Sequence, residues 1–427
     1  MTLLSTTLSA ADAVAGRLGR LDRPIRVAGL IAAARRRAGS DDFGDDPFMG
    51  PLERLCSACL SEAQLSLLGR AVTSWDIGRF LDNLLLLRQQ ELRDPAILRE
   101  KIEQPLFITG LPRTGTTFLH RLLLEDATNE SPRAYQTIHP YPLAGEADGG
   151  PAKRIAAVNR QLRMFDRLAP EFRSLHPMDA TSPQECSEIT AHVFASLRFD
   201  TTYDIPSYRE WLDASGHVDA FRVHKRFLQH LQHQTGPRRW VLKCPDHVFA
   251  LDAIRTVYPD ARVVFVHRDP MRVLASVVRL TEILRRPFTR SIDRVKLGRK
   301  QNDRWQEGTQ LMRRAAERQD FAEAICQVRH TELIAAPALA IERIYAHFGL
   351  TLGEQAARRI EAVTAETPNG GYGVNQYRLE DYGLDEAEER RRFAPYMEAF
   401  AVAPESARER DARRRPQEHR ASVPRAA

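Results

Sequence analysis

The spacing of apolar residues changes once along this chain. Up to about residue 100 they recur every three or four positions, the period of a helix that buries one face. LSAADAVAGRLGRL opens the chain with Ser9 placed as a helix N-cap. A polar break follows at GSDDFGDDPFMG (39–50), and amphipathic segments such as WDIGRFLDNLLLLRQQEL then run to Glu100. The pattern predicts a helical N-terminal region over residues 1–100.

From about Pro105 short apolar runs alternate with helical patterns, as expected of an α/β unit. LFIT (106–109), WVLK (240–243), ARVVFVH (261–267) and AICQVR (324–329) are apolar at consecutive positions. Both faces of such strands must be covered, which predicts a buried, mostly parallel sheet. Helical patterns at 117–125, 183–198, 218–233 and 247–257, with another after Arg272, would supply the cover. The expected fold is therefore α/β over residues 101–400, with helices on both sides of a five-stranded parallel core.

Composition, 43% apolar and 28% charged, fits an ordinary globular chain and leaves this picture intact. No apolar run reaches the ~18 residues of a membrane helix. The first residues lack the basic and apolar regions of a secretory signal, so a cytoplasmic location is expected. Charge changes the reading of the C-terminus. Of a net +6, residues 403–427 carry seven Arg against four acids, with almost no apolar content. A basic, disordered tail is predicted over 401–427, and the balanced remainder argues against a nucleic-acid partner. Five scattered cysteines suit a reducing compartment. Cys56 and Cys59 form a C-x-x-C inside a helical pattern with no second pair, so they read as core residues. His224, His230 and His233 share a helical pattern but lack a ligand partner nearby in sequence, and no metal site is predicted.

The chemistry begins at LFITGLPRTGTTFLH (106–120), a strand, a glycine-bearing loop and a helix. Gly110 and Gly115 keep the spacing of a nucleotide P-loop, but Thr116 stands where the lysine belongs and Arg113 brings a cation earlier in the loop. Backbone N–H groups, the helix N-terminus, the hydroxyls of Thr116 and Thr117 and the Arg113 fork all suit an anion. A second motif follows the strand ARVVFVH: Arg268-Asp269-Pro270, with Ser276 two helical turns on. Its HRD string lacks the later Asn of a protein-kinase loop, since Leu274 stands there. The strand ends in His-Arg rather than the acid that would hold magnesium. A second anion contact is the reading that remains.

Together these features resemble the sulfotransferases that use 3′-phosphoadenosine-5′-phosphosulfate (PAPS), which share a P-loop-like fold. The likeness is greatest to a large bacterial group whose loop reads GLPRTGTT. That group also shows Leu-Lys-x-Pro-x-His, here Leu242 to His247, and Tyr-x-Leu-Glu-x-x-Gly-Leu, here Tyr377 to Leu384. The resemblance spans about residues 40–400. It implies that Arg113, Thr114, Gly115, Thr116 and Thr117 bind the 5′-phosphosulfate, that Arg268 and Ser276 bind the 3′-phosphate, and that Tyr377 lies near the ligand. It implies sulfuryl transfer from PAPS to a hydroxyl of a small-molecule or lipid-like acceptor, without a metal. Arg113 would also stabilise the departing phosphate charge.

The resemblance leaves the general base open. The bacterial group commonly carries Trp-Glu after the first helix, whereas this chain reads Tyr135-Gln136, and a glutamine is no base. His139, Glu185, Glu188 and His247 are the alternatives, and Lys243, at a strand end, could contact the sulfuryl group. Two rival functions stay in view: a P-loop kinase or nucleotidase with an aberrant loop, and a non-catalytic nucleotide-binding relative.

Overall fold

The computed structural model describes residues 12–143, 145–146, 150–366 and 378–405. Its centre is a sheet of β1 (Leu106–Gly110), β2 (Asn129–Glu130), β3 (Arg239–Lys243), β4 (Arg262–His267) and β5 (Ile325–Arg329). The strand order is β2-β3-β1-β4-β5, and every pairing is parallel. Phe107 of β1 stands between Leu242 and Val263, and Val266 of β4 faces Val328. The four longer strands are those the apolar runs predict. The two-residue β2 carries no apolar run, so nothing in the local pattern marks it.

Alternate residues of each strand point to opposite faces, and both faces are buried. Phe107, Leu242, Val263 and Phe265 pack on one side with Phe227 and Phe393. Leu106, Ile108, Val241 and Val264 pack on the other with Phe118, Leu119 and Ile341. The result is the three-layer α/β arrangement expected.

The N-terminal region supplies α1 (Val27–Ala38), α2 (Met49–Ser61) and α3 (Leu67–Arg93). Its described residues are largely helical, as the periodicity requires, but their core is shared. Leu52, Phe80 and Leu84 pack with Phe194, Phe199 and Tyr208 from beyond β1. Leu87 and Ile102 join the core of the sheet. The change in apolar spacing suggests a boundary near residue 100, whereas the packing runs across it. Cys56 and Cys59 lie buried in α2, where burial pushes the Cys56 thiol up to about 12.

Two predicted helices are broken. The stretch 183–198 holds a short helix, Cys186–Thr190, and then a 3-10 turn, Ala191–Val193. Phe194, in left-handed backbone at φ 55°, stops the helix before Arg198–Thr202 begins. The stretch 247–257 divides into a 3-10 turn, Pro245–Phe249, and a helix, Leu251–Val257. The expected tail also starts later than its composition suggests. After the last helix, Glu386–Ala399, Val402 is buried in the sheet core and Glu405 reaches inward. Residues 406–427 lie outside the described residues.

Candidate active site

The loop after β1 is shaped by three unusual backbone positions. Gly110 has φ 141°, and a Cβ there would stand 2.4 Å from the Val266 carbonyl oxygen. Gly115 has φ 96°, and its Cβ would press on the His330 ring at 3.1 Å. Neither position accepts a side chain without local movement. Arg113 itself adopts φ 65°, a conformation that costs a non-glycine residue energy and recurs at ligand sites. Its Nη1 donates to the Leu175 carbonyl at 2.7 Å, which fixes the guanidinium beside the loop. The loop delivers the chain into the helix Thr116–Leu123, whose first turn presents backbone N–H groups.

The second motif sits against the first. Arg268 follows the last residue of β4, and its Nη1 donates to the Arg113 carbonyl at 3.1 Å. Asp269 caps the helix Pro270–Arg285 by accepting from Met271 N–H at 3.0 Å, and Pro270 suits the first turn. Two segments about 150 residues apart thus meet through one hydrogen bond between their arginines, because β1 and β4 are neighbours in the sheet.

A third element comes from β3. Lys243 ends that strand and is ion-paired with Glu185, which stands opposite it in an isolated parallel bridge. Burial raises the Glu185 carboxyl, but the Lys243 charge outweighs it, and the carboxyl is held below its ordinary value. Asp246 responds the other way. Burial and the nearby Glu185 charge push its carboxyl up to about 7. His176 is lowered to about 4, by burial first and then by Lys243. The site therefore holds an ionised carboxylate, a carboxyl near neutrality and a neutral imidazole.

These groups line one cavity of about 1020 Å³. Arg113, Thr116, Thr117, Arg268 and Ser276 contribute a polar wall, and Lys243, Glu185, Asp246 and His176 line it as well. An apolar wall is built from Trp75, Phe165, Leu168, Phe172, Leu280 and Phe288. Phe165 stacks on Phe288 at 6.2 Å.

Several expected residues lie elsewhere. The Thr114 hydroxyl is buried and donates to the Leu111 carbonyl at 2.8 Å, so it braces the loop instead of facing the cavity. His139 and His247 are outside the cavity lining. His139 follows the helix Ala134–Ile138, and burial with Arg79 and Arg154 nearby lowers it to about 4. His247 is wedged between Phe107 and Phe221 at 5.1 and 6.0 Å, and burial depresses its basicity further. Gln136 is a helix cap: its Oε1 accepts from the Arg133 N–H at 2.8 Å. Glu188 does line the cavity, but Arg79 at 2.7 Å and Arg198 at 2.9 Å both hold it. Those arginines also grip Asp76, each at 2.6 Å, which closes a four-charge ring. Tyr377 lies outside the described residues. His176, Asp246 and the charge ring escape a sequence reading because each is defined by distant partners.

A parallel sheet with a glycine-bearing loop after its first strand, and a second arginine motif after a neighbouring strand, defines a P-loop-like α/β scaffold. The position where a magnesium-binding acid would end β4 is His267, which is buried and bonded to Tyr396 and Gln327 at 3.0 and 2.6 Å. The sequence model of the sulfotransferase family matches residues 105–354, and the chain belongs to that family. The crystal structure of sulfotransferase STF1 from Mycobacterium tuberculosis H37Rv is 30% identical, with a TM-score of 0.76. That match covers 87% of this chain and 99% of STF1. STF9 from Mycobacterium avium is 26% identical with a TM-score of 0.79, covering 89% of this chain and 98% of STF9. A curated relative, the omega-hydroxy-beta-dihydromenaquinone-9 sulfotransferase Stf3 of Mycobacterium bovis, is 25% identical over 290 residues. Those residues are 65% of this chain and 70% of Stf3. The protein is a sulfotransferase, which removes the kinase and nucleotidase alternative. Among the described residues no helix is long and apolar enough to cross a membrane.

Proposed function

We propose that the protein transfers the sulfuryl group of PAPS to a hydroxyl on an apolar, lipid-like acceptor, in line and without a metal. The acceptor oxygen bonds to sulfur as the bond from sulfur to the bridging phosphate oxygen breaks. Adenosine 3′,5′-bisphosphate leaves, and the hydroxyl proton passes to Glu185. The observation that carries this reading is the Lys243–Glu185 pair, which lines the same cavity as the anion loop and the apolar wall.

Arg113 and the N–H groups that open the helix Thr116–Leu123 are assigned to the phosphosulfate, with Thr116 and Thr117 beside them. Such preorganised donors are worth ~3 kcal/mol each where charge develops. Arg268 and Ser276 take the 3′-phosphate. Lys243 holds Glu185 ionised, ready to accept a proton, and can turn to the bridging oxygen as negative charge grows there. The family resemblance supports PAPS as donor. The aromatic and leucine lining supports an apolar acceptor, and so does Stf3, named for a hydroxylated dihydromenaquinone. Five buried, unbridged cysteines support action in the cytoplasm.

The test is sulfate transfer followed by mass spectrometry, with PAPS and a panel running from small phenols to hydroxylated isoprenoid quinones. Release of adenosine 3′,5′-bisphosphate with sulfation of the apolar members is expected. Sulfation confined to small polar acceptors would overturn the acceptor assignment. Folded protein that neither binds adenosine 3′,5′-bisphosphate nor uses PAPS would overturn the donor assignment.

A further inference from the structure

The carboxylate of Glu405 already lies on Arg268. One oxygen accepts from Nε at 2.8 Å and the other from Nη2 at 3.1 Å, the two-pronged geometry an arginine offers a phosphate. Arg272 Nε stands 3.8 Å from the same carboxylate, and His330 Nδ1 stands 3.9 Å from it. All four residues line the active-site cavity. The backbone holds this arrangement in place. Glu405 N–H donates to Asp269 Oδ2 at 2.9 Å, and Asp269 is itself fixed as the cap of the helix Pro270–Arg285. Val402, three residues earlier, is anchored in the sheet core. Burial raises the Glu405 carboxyl, but Arg268, His330 and Arg272 outweigh it and keep it ionised.

Two guanidinium groups and an imidazole converge on one carboxylate inside the cavity. They suit a dianion as well. We propose that Arg272 and His330 join Arg268 in binding the donor's 3′-phosphate, and that Glu405 fills this pocket as an internal anion which the donor displaces. The inference rests on PAPS being the donor. It makes the nucleotide's apparent affinity smaller than the pocket's intrinsic affinity by the fraction of molecules in which Glu405 has let go.

Calorimetric titration of the full chain tests it with two probes, adenosine 3′,5′-bisphosphate and adenosine 5′-monophosphate, which lacks the 3′-phosphate. Glu405→Gln should tighten the bisphosphate at least fivefold and change the monophosphate less than twofold. Arg272→Ala or His330→Ala, each placed in the Glu405→Gln background, should then weaken the bisphosphate about tenfold and spare the monophosphate. Glu405→Ala repeats the first comparison should the glutamine perturb folding, which thermal melting monitors. Bisphosphate binding that is equal or weaker in both Glu405 variants overturns the internal-anion role. Equal loss of both probes in the Arg272 and His330 variants overturns their assignment to the 3′-phosphate. If neither the parent nor the folded variants bind bisphosphate, the donor reading fails and the inference falls with it.

Discussion

Lys243 and Glu185 are paired across a single parallel bridge, with one charge from the end of β3 and the other from the residue before the helix Cys186–Thr190. The backbone pairing fixes both Cα positions, so the ion pair does not depend on two long side chains finding each other. If Glu185 is the base proposed above, removing its charge while keeping its shape should affect chemistry more than binding. Glu185→Gln is expected to lower kcat by about 10²–10⁴, the usual range for a general base. The affinity for adenosine 3′,5′-bisphosphate should stay within about twofold of the parent. A variant that keeps parental kcat would remove Glu185 from the mechanism.

Asp246 links the site to pH. Its carboxyl titrates at 3.8 in a free chain and at about 7 in the fold, because burial and the Glu185 charge oppose ionisation. The folded state therefore keeps a proton that the unfolded state has released. The stability this contributes is full below about pH 4 and is lost as pH rises through about 7. Asp246→Asn should flatten that part of the profile. Urea unfolding of parent and variant at pH 5, 6, 7 and 8 measures the difference. Parallel profiles would show that Asp246 ionises normally.

Arg268 and Arg113 touch through one hydrogen bond but are assigned to different ends of the donor. The product keeps its 3′-phosphate and has lost the sulfate. Arg268→Ala should weaken adenosine 3′,5′-bisphosphate by about 10–100-fold, the value of charged hydrogen bonds lost from a buried pair. Arg113→Ala should weaken it less than tenfold and show its larger effect in turnover with PAPS. Equal losses in product affinity would contradict the division of roles.

Gln136 shows where local reading of the sequence misleads. Its position invites comparison with a catalytic glutamate, yet its side chain closes the first turn of the helix Ala134–Ile138. Gln136→Ala should cost about 0.5–1 kcal/mol in unfolding free energy, as lost caps do, and leave kcat unchanged. A tenfold fall in kcat would restore a catalytic role. The four longer strands, the loop and the Arg268 motif are legible in the sequence because each is a local pattern of apolar runs, glycines and caps. Thr114 is misread because a hydroxyl in a loop serves ligand and backbone equally well, and here it bonds Leu111. Glu405 and Asp246 are invisible for a different reason. Their chemistry comes from residues that only the folded chain brings near, Arg268 in one case and Glu185 in the other. The shared core of α3 and Phe199 hides in the same way, since periodicity shows which face is buried and not against what.

The apolar wall of the cavity makes a graded prediction. Phe165, Leu168, Phe172, Leu280 and Phe288 offer carbon surface to whatever chain carries the accepting hydroxyl. Each methylene transferred from water to such a surface is worth about 0.8 kcal/mol. That energy corresponds to roughly a fourfold gain in kcat/KM per methylene, because about 1.36 kcal/mol is tenfold. A series of linear alcohols should therefore show kcat/KM rising by about this factor per carbon until the cavity is filled, then levelling. Leu280→Asp, which places a charge in that wall, should abolish the dependence on chain length while adenosine 3′,5′-bisphosphate still binds. A flat series in the parent protein would mean that the accepting molecule does not lie along these side chains.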